Sequence, residues 1–292
     1  MNDFVVKNLK VENKISVPTP SYVENLRLII ENILAQNGIS EAQIDVVAGI
    51  WHTHFKINVL KSISKSLVQD ICNDIENFFV SKLLRIAVFR NENGHVQLDI
   101  EIPNDETSII GLKSILESDT FKSCKGLPIA AGVTNDNKPF LLDLCNYKNT
   151  NLLVCGSTGQ GSNNFINSAI LSLLASKTSD DIEFVFIAEE NRIDQYNDLN
   201  KDWFHDIPNI TPEVITDPDL SKYALDQLYR QTNARINAFQ RYKVKTIKEF
   251  NEKYPNSKLP HVVIIIKDYD LLYKHKGKEI TFSVAALQNM DI

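Results

Sequence analysis

Residues Asn151-Leu-Leu-Val-Cys-Gly156-Ser-Thr-Gly159-Gln-Gly161-Ser162-Asn163 decide the fold of the second half of the chain. The apolar run predicts a buried strand, and the glycines after it predict a turn into a helix. Gly156 and Gly161 keep the spacing of a phosphate-binding loop, in which backbone N–H groups and a helix N-terminus hold an oxyanion. Such loops continue with a lysine and a Mg²⁺-binding hydroxyl, where this chain has Ser162 and Asn163. The stretch therefore predicts the backbone of a nucleotide-binding loop without the lysine and the hydroxyl that bind the phosphates and Mg²⁺.

The whole chain has 292 residues, of which 43% are hydrophobic and 23% charged, and this composition predicts a globular protein of two domains. Its formal net charge of −6 excludes a surface that is basic overall. Any contact with nucleic acid must therefore come from a local basic patch.

The cysteines indicate a reducing compartment. Cys72, Cys124, Cys145 and Cys155 are widely separated and lack the CxxC spacing, so we expect buried free thiols and a cytoplasmic location. The sequence also lacks an apolar run of the roughly 18 residues that a membrane helix needs, and it lacks a signal peptide.

The first part of the chain predicts an α+β domain. Residues 1–20, with Pro18 and Pro20, are expected to form an arm before a helix that Ser21 caps. Residues 21–126 form the domain, with its junction to the next domain at 118–126. Apolar spacing predicts helices at 22–36, 64–80 and 107–116, and strands at 44–59 (broken near Gly49), 83–89 and 95–102.

Residues 127–292 alternate between strands and helices. The strands are continuous apolar runs, which are typical of a parallel sheet with both faces covered. Strands are predicted at 129–132, 139–143, 151–155, 183–188 and 261–266, and helices at 163–176 and 219–242.

Several strings, in order, resemble the FtsK/SpoIIIE family of DNA-translocase motors. The matching strings are Trp51-His-Thr-His-Phe55, Glu101-Ile-Pro-Asn104, Gly111-Leu-Lys-Ser-Ile-Leu116, Pro139-Phe-Leu-Leu-Asp143, the stretch at 151–159, residues 244–253 with Arg235 before them, and Leu259-Pro-His-Val-Val263. The resemblance covers nearly the whole chain. It implies a RecA-like P-loop NTPase domain with a mainly parallel sheet, here incomplete, after the α+β domain.

The same resemblance implies a function. Members of this family use ATP and Mg²⁺, form rings around double-stranded DNA and act in chromosome segregation. It assigns nucleotide contacts to the loop, namely Gly156, Ser157, Thr158, Gly159, Gln160, Gly161, Ser162 and Asn163. The dense basic stretch of Arg235, Arg241, Lys243 and Lys245 is the candidate DNA contact, with a solvated helix face as the alternative.

The differences from the family lie at positions that carry its catalytic chemistry. The family's Walker B strand ends in Asp-Glu, and these positions are Lys267 and Asp268 here. The family's Asp-Pro-Lys after the second strand is Ala188-Glu189-Glu190. We therefore expect ATP hydrolysis to be absent, with Asp268 as a degraded catalytic position. The alternative function is a non-catalytic scaffold or interaction module that keeps the fold.

Three motifs have a purely structural interpretation as well as a functional one. The glycine-rich loop is either a nucleotide site or an inherited turn that binds nothing, and the missing lysine favours the turn. Asp268 and Asp270 are either a residual metal pair or polar strand-end residues. His52 and His54 lie on one face of a strand, but no third ligand is evident, so no metal site is predicted.

The length of the chain predicts an incomplete sheet. In the family a later strand lies between the P-loop strand and the Walker B strand, and after Asp268 only the helix near 278–287 is expected before Ile292. This resembles a shortened or decayed relative. Either 152–155 pair directly with 262–266, or an open slot separates them that an absent segment or a partner chain fills. We expect the slot.

Overall fold

The computed structural model describes residues 9, 13–90, 95–106, 108–146, 148–157, 159–188 and 199–267. They form two compact units. The N-terminal unit comprises Leu9–Ser118 and Gly132–Phe140, and the C-terminal unit comprises Asp119–Ala131 and the described residues from Leu141 onward. The expected domain junction at 118–126 lies beside this division, and the tip at 132–140 belongs to the first unit.

The N-terminal unit is a four-stranded antiparallel sheet with two main helices. The helices are α1 (Pro20–Gln36), α2 (Lys65–Phe78) and the short α3 (Leu112–Leu116). The strands are β1 (Ala42–Ala48), β2 (His52–Ser62), β3 (Arg85–Arg90) and β4 (His95–Pro103), in the order β1-β2-β4-β3. The predicted β3–β4 hairpin is confirmed, and its turn at 91–94 lies outside the described residues.

The core of this unit follows the two periodicities of the sequence. Alternate residues of β2, Thr53, Phe55, Ile57 and Val59, are buried, because successive side chains of a strand point to opposite faces. The apolar stripes of α1 and α2 complete the core with Leu26, Ile30, Ile33, Leu34, Val68, Ile71, Cys72 and Ile75. The opposite face of the sheet, which carries His52 and His54, is polar.

Two helix boundaries in this unit were predicted wrongly. The cap of α1 is Thr19, whose Oγ1 accepts from Tyr22 N, and Pro20 is already helical. Proline is tolerated there because the first N–H of a helix has no intrahelical acceptor. The helix predicted at 107–116 is confined to Leu112–Leu116, since Ile109 pairs with Lys14 instead.

The turn between β1 and β2 is held by a side chain from the tip at 132–140. Asn135 Oδ1 accepts from Trp51 N and His52 N, both at 3.2 Å, and its Nδ2 donates to His52 O. A Cβ atom on Gly49 would lie 2.1 Å from the Asn135 side chain, so this position requires glycine. The break that the sequence predicted near Gly49 is therefore a turn that these hydrogen bonds stabilise.

The C-terminal unit is an α/β structure. Its helices are α4 (Asp119–Ser123), α5 (Ser162–Ser176), α6 (Pro218–Tyr242) and α7 (Ile247–Lys253). Its strands include β7 (Ile182–Ile187) and β8 (His261–Ile266), which pair in parallel, and β5 (Pro128–Val133) pairs with β6 (Pro139–Asp143). Phe204 and Ile215 form parallel bridges to β7.

Both faces of β7 are covered, as its continuous apolar run predicted. Phe184 and Phe186 pack with Ile170, Leu173 and Leu174 of α5. The intervening Val185 and Ile187 pack with Ala224 and Leu228 of α6. The predicted fold class, an α+β domain followed by an α/β domain with parallel strands, is confirmed.

The cysteines are all free, but most are not buried. Cys72 lies in the core, Cys124 is half-buried, and Cys145 and Cys155 are exposed. The expectation of buried thiols is wrong for Cys155 because its apolar segment does not enter a sheet.

Candidate functional site

The glycine-rich loop enters α5 in the left-handed conformation that its glycines permit. Gly159 has φ of 86° and Gly161 has φ of 90°, a region that disfavours residues with a Cβ. Gly161 is the N-cap of α5 and provides no side-chain cap, and its carbonyl accepts from Phe165 N at 2.9 Å. Thr158 lies outside the described residues.

The start of α5 can receive an anion through backbone N–H groups and neutral side-chain donors, without a cationic side chain. The first N–H groups of a helix lack intrahelical acceptors and carry the positive end of the helix dipole. Gly161 and Asn163 are exposed and Ser162 is half-buried, so this end of the helix is open. The loop residues 156–163 contain no cationic side chain. The site therefore offers weak electrostatic attraction to a triphosphate.

The segment before the loop is not the strand that the sequence predicted. Residues 152–157 have no regular secondary structure, and Leu153 is 88% exposed. Within the described residues, no backbone hydrogen bond joins 152–155 to 262–266. Direct pairing of these segments is therefore wrong. Within the described residues, β8 pairs only with β7, and no strand pairs with its other edge, where the slot was expected. Residues 152–155 also lack a paired neighbour, and without a ladder of hydrogen bonds an extended segment does not form a strand.

Lys267 occupies the end of β8, where the family resemblance implies a metal-binding carboxylate. The residue is only 6% exposed, and its backbone N donates to Ile187 O at 2.8 Å. Within the described residues, this strand is therefore followed by a buried lysine, whose side chain cannot supply the oxygen ligand that Mg²⁺ prefers. Asp268 and Asp270, like Glu189 and Glu190, lie outside the described residues.

The four basic residues of the candidate DNA contact do not form one patch. Arg235 Nη1 donates to Pro260 O at 2.8 Å, and burial lowers the pKa of its guanidinium, an effect that Glu183 opposes. Arg241, Lys243 and Lys245 are exposed at the far end of α6 and just beyond it. These three remain candidates for phosphate contacts, while Arg235 has a partner inside the unit.

A polar cluster that the sequence analysis missed lies between β7 and α6. His205 Nδ1 is 2.5 Å from Glu183 Oε2, and its Nε2 is 2.5 Å from Gln231 Oε1. Gln231 Nε2 donates to Asp206 O at 3.3 Å. Glu183 and Gln231 are 22 and 26 positions from His205 in the chain, so no local pattern marks the cluster. The cluster connects the strand to the long helix beside Arg235.

No group of three or more His, Cys, Asp or Glu side chains within the described ranges could hold a metal ion. His52 and His54 are partly exposed on the outer face of β2, where His54 lies opposite Val47 and Glu101. In the same described ranges, none of the helices is long and apolar enough to cross a membrane.

The parallel strands, the glycine turn and the following helix together define a domain of the P-loop type, and comparison with known proteins identifies its family. Residues 112–288 match the FtsK/SpoIIIE family. Because this match covers more than half of the chain, the chain belongs to the FtsK/SpoIIIE family.

Curated relatives include three proteins named DNA translocase FtsK. The protein of Helicobacter pylori (strain ATCC 700392 / 26695) is 28% identical over 99% of this chain and 33% of its own length. That of Campylobacter jejuni (serotype O:2) is 31% identical over 85% of this chain and 25% of its own. That of Haemophilus influenzae is 27% identical over 92% of this chain and 54% of its own. The chain thus spans a quarter to about half of these relatives.

A solved structure of the conjugation coupling protein TcpA of pCW3, a monomer form with ATPγS, is similar to 90% of this chain. The match covers 70% of that chain at 13% identity, with a TM-score of 0.46.

Proposed function

We propose that the chain is a translocase-family motor module that no longer hydrolyses ATP, and that it acts as a non-catalytic scaffold or interaction module. The observation that carries the proposal is the buried Lys267 at the end of β8. It is supported by Ser162 and Asn163 at the start of α5, where a phosphate-binding lysine and a Mg²⁺-binding hydroxyl would stand. Family membership supports the translocase-like fold. A role in chromosome segregation, a cytoplasmic location, a ring-forming homo-oligomer and a hetero-partner that completes the sheet belong to the same proposal.

ATP and Mg²⁺ are bound weakly or not at all in this proposal. A single oriented charge contact to a transition state contributes roughly 2.7–4 kcal/mol, so loss of both the lysine and the metal carboxylate removes most of the catalysis. The open helix N-terminus offers the phosphates backbone N–H groups and neutral side-chain donors such as Ser162 and Asn163, but no cation. We therefore expect that Mg²⁺ does not increase the affinity for ATP.

The expected ATPase result is phosphate release at the rate of the buffer control. The assay measures inorganic phosphate with and without Mg²⁺, and it is repeated with duplex DNA present. Gly161→Val disfavours the left-handed conformation of the N-cap, whose φ is 90°. This variant serves as the inactive control. Mg²⁺-dependent turnover by the natural chain that this variant abolishes would sink the proposal.

A charge-restoring variant sharpens the same test. Ser162→Lys returns a cation to the first residue of α5, and it should give measurable ATP binding by fluorescence anisotropy of a labelled nucleotide. Gln160→Lys adds the same charge to an exposed residue of the loop and is the matched control. Equal gains in both variants would show that general charge, rather than the missing phosphate-binding lysine, limits the affinity.

Binding to duplex DNA should be weak and independent of sequence. With Arg235 bonded to Pro260 O, three exposed cations remain at the end of α6. Three phosphate contacts predict a slope of log K against log salt of about −3 at most, and a Kd no tighter than roughly 10⁻⁵ M near physiological salt. A salt titration by anisotropy measures both quantities.

The matched variants for this titration carry equal charge changes. Lys243→Glu with Lys245→Glu should abolish the residual binding, whereas Lys65→Glu with Lys122→Glu, at exposed sites elsewhere, should keep most of it. Submicromolar binding that only the first pair removes would favour an active DNA motor over the non-catalytic module.

A further inference from the structure

One edge of the sheet in the N-terminal unit is open and unusually apolar. β3 is the last strand in the order β1-β2-β4-β3 and pairs with β4 through Arg85↔Glu101 to Arg90↔Val96. Within the described residues, no other strand pairs with it. An edge strand presents a row of backbone N–H and C=O groups to which another extended segment can bind.

Large apolar side chains surround this edge. Val88 is 47% and Phe89 is 53% exposed on β3 itself. Before β3, the last residue of α2, Phe78, is 56% exposed, and Val80 and Leu83 in the connecting turn are 86% and 94% exposed. The adjacent Leu84 packs against the core, whereas the side chain of Leu83 is exposed to solvent. Exposed apolar groups concentrated at one place on a soluble unit are a mark of an interaction surface.

The edge lacks the features that proteins use to block strand addition. Its sequence from Arg85 to Arg90 contains neither proline nor a central charge, and β3 has no β-bulge in its pairing with β4. The opposite edge strand, β1, carries Gln43 and Asp45 in its middle. Charged and polar residues on an edge strand discourage pairing, so the sheet protects one edge and leaves the other receptive.

The charges at the ends of β3 select the partner. Arg85 is exposed and lies 3.7 Å from Glu101, a long contact for an ion pair, and Arg90 donates to Ile63 O at 3.0 Å. Antiparallel pairing with β3 of a second copy would bring Arg85 of one copy and Arg90 of the other to each end of the ladder. Two like charges at each end repel one another, so a second copy fits poorly.

We propose that β3 accepts an extended segment of a partner protein as an additional strand, with alternating apolar residues at its centre and aspartate or glutamate at both ends. Six residues of β3 offer a ladder of about 20 Å. The backbone supplies the pairing, and Val88 and Phe89 offer apolar contacts on the two faces of the added strand. Leu83 extends the apolar surface beyond Arg85, and the two arginines attract the carboxylates. This surface is independent of the nucleotide loop and operates whether or not the chain hydrolyses ATP.

The test uses the full chain and two synthetic peptides. Both have Val-Thr-Val-Thr-Val at the centre, one with two glutamates at each end and the other with two lysines. The acidic peptide should bind about tenfold more tightly at low salt, since two favourable cross-strand charge pairs contribute up to roughly 1 kcal/mol each. Binding is measured by anisotropy, and hydrogen exchange should slow at 85–90 and not at 42–48.

Matched double variants locate the site. Leu83→Lys with Phe89→Lys should abolish binding of the acidic peptide. Val47→Lys with Leu60→Lys changes two residues that are 55% and 56% exposed elsewhere on the same unit and should leave binding intact. All four positions are exposed, and thermal unfolding by circular dichroism verifies that each variant is folded.

Three outcomes would overturn the proposal. The first is equal affinity for the two peptides or binding of neither, and the second is protection from exchange at β1 instead of β3. The third is a dimer of the chain, seen by sedimentation, that Leu83→Lys with Phe89→Lys dissociates, because this would assign the edge to a second copy.

Discussion

Replacing Arg235 with alanine should lower the free energy of unfolding of the C-terminal unit by about 2 kcal/mol, because the change leaves a half-buried carbonyl without its donor. The Arg235 guanidinium donates to Pro260 O at 2.8 Å, at the residue before β8 begins. It also provides a positive charge near Glu183, on the neighbouring strand β7. Alanine would leave the Pro260 carbonyl unpaired and remove this counter-charge.

The measurement can be restricted to the C-terminal unit, which contains Arg235. The chain has two tryptophans, Trp51 in the N-terminal unit and Trp203 in the C-terminal unit. In a Trp51→Phe background, urea unfolding followed by the fluorescence of Trp203 reports on the unit that contains Arg235. Trp203 packs near Phe184, with ring centroids 6.2 Å apart, so its emission should change on unfolding.

Arg241→Ala is the control for this experiment. Arg241 lies on the same helix and is exposed, so its replacement should change the free energy of unfolding by less than roughly 0.5 kcal/mol. The prediction would be contradicted if the two variants were equally stable and Arg235→Ala lost affinity for DNA. That result would return Arg235 to the nucleic-acid contact.

Acidification should destabilise the C-terminal unit through His261. The pKa of this imidazole is lowered to about 4 from its ordinary value of 6.5. Burial is the main cause, followed by repulsion from Arg235 and Lys177, while Asp181 and Asp143 act in the opposite direction. The histidine is therefore held neutral at the start of β8, where its backbone N donates to Asp181 O.

The direction follows from which state binds the proton first. The unfolded chain protonates His261 near pH 6.5, whereas the folded chain does so only near pH 4. The stability that depends on the neutral imidazole is fully present above pH 6.5 and is lost as the pH falls to about 4. A shift of this size corresponds to about 3 kcal/mol in the free energy of unfolding.

His261→Phe separates this effect from the carboxyl groups that titrate in the same range. The difference in free energy of unfolding between the natural chain and the variant should change by about 3 kcal/mol between pH 7 and pH 4. Because Arg235 contributes to the lowered pKa, the same difference should be smaller in the Arg235→Ala background. Parallel pH profiles of the natural chain and His261→Phe would contradict the account.

The sequence predicted elements whose burial pattern is local. The alternation of Phe55, Ile57 and Val59 identified β2, and apolar spacing predicted the helix α2, whose Val68, Ile71 and Ile75 lie in the core. The apolar run at 183–188 correctly predicted a strand with both faces covered. These patterns suffice because the side chains that pack on one face recur at the period of the element itself.

The candidate site was predicted only in outline. The glycines from 156 to 161 indicated a turn into a helix, and the structure shows α5 beginning there, with Gly159 and Gly161 in the left-handed conformation. Arg235 was assigned to DNA because it stands in a basic stretch, but its acceptor, Pro260 O, is 25 residues further along. The His205 cluster was missed for the same reason, since its partners come from a strand and a helix that are distant in the chain.

By itself, the sequence determined the order of the elements, the glycine turn and the absence of a cation from the loop. The tertiary structure decided that 152–155 form no strand and that, within the described residues, β3 is an open edge. It also decided that Lys267 is buried. A residue's own neighbours in the chain define its periodicity, but a strand exists only where another segment accepts its backbone hydrogen bonds. Whether that segment is present, and which edge remains without one, depends on contacts between distant parts of the chain.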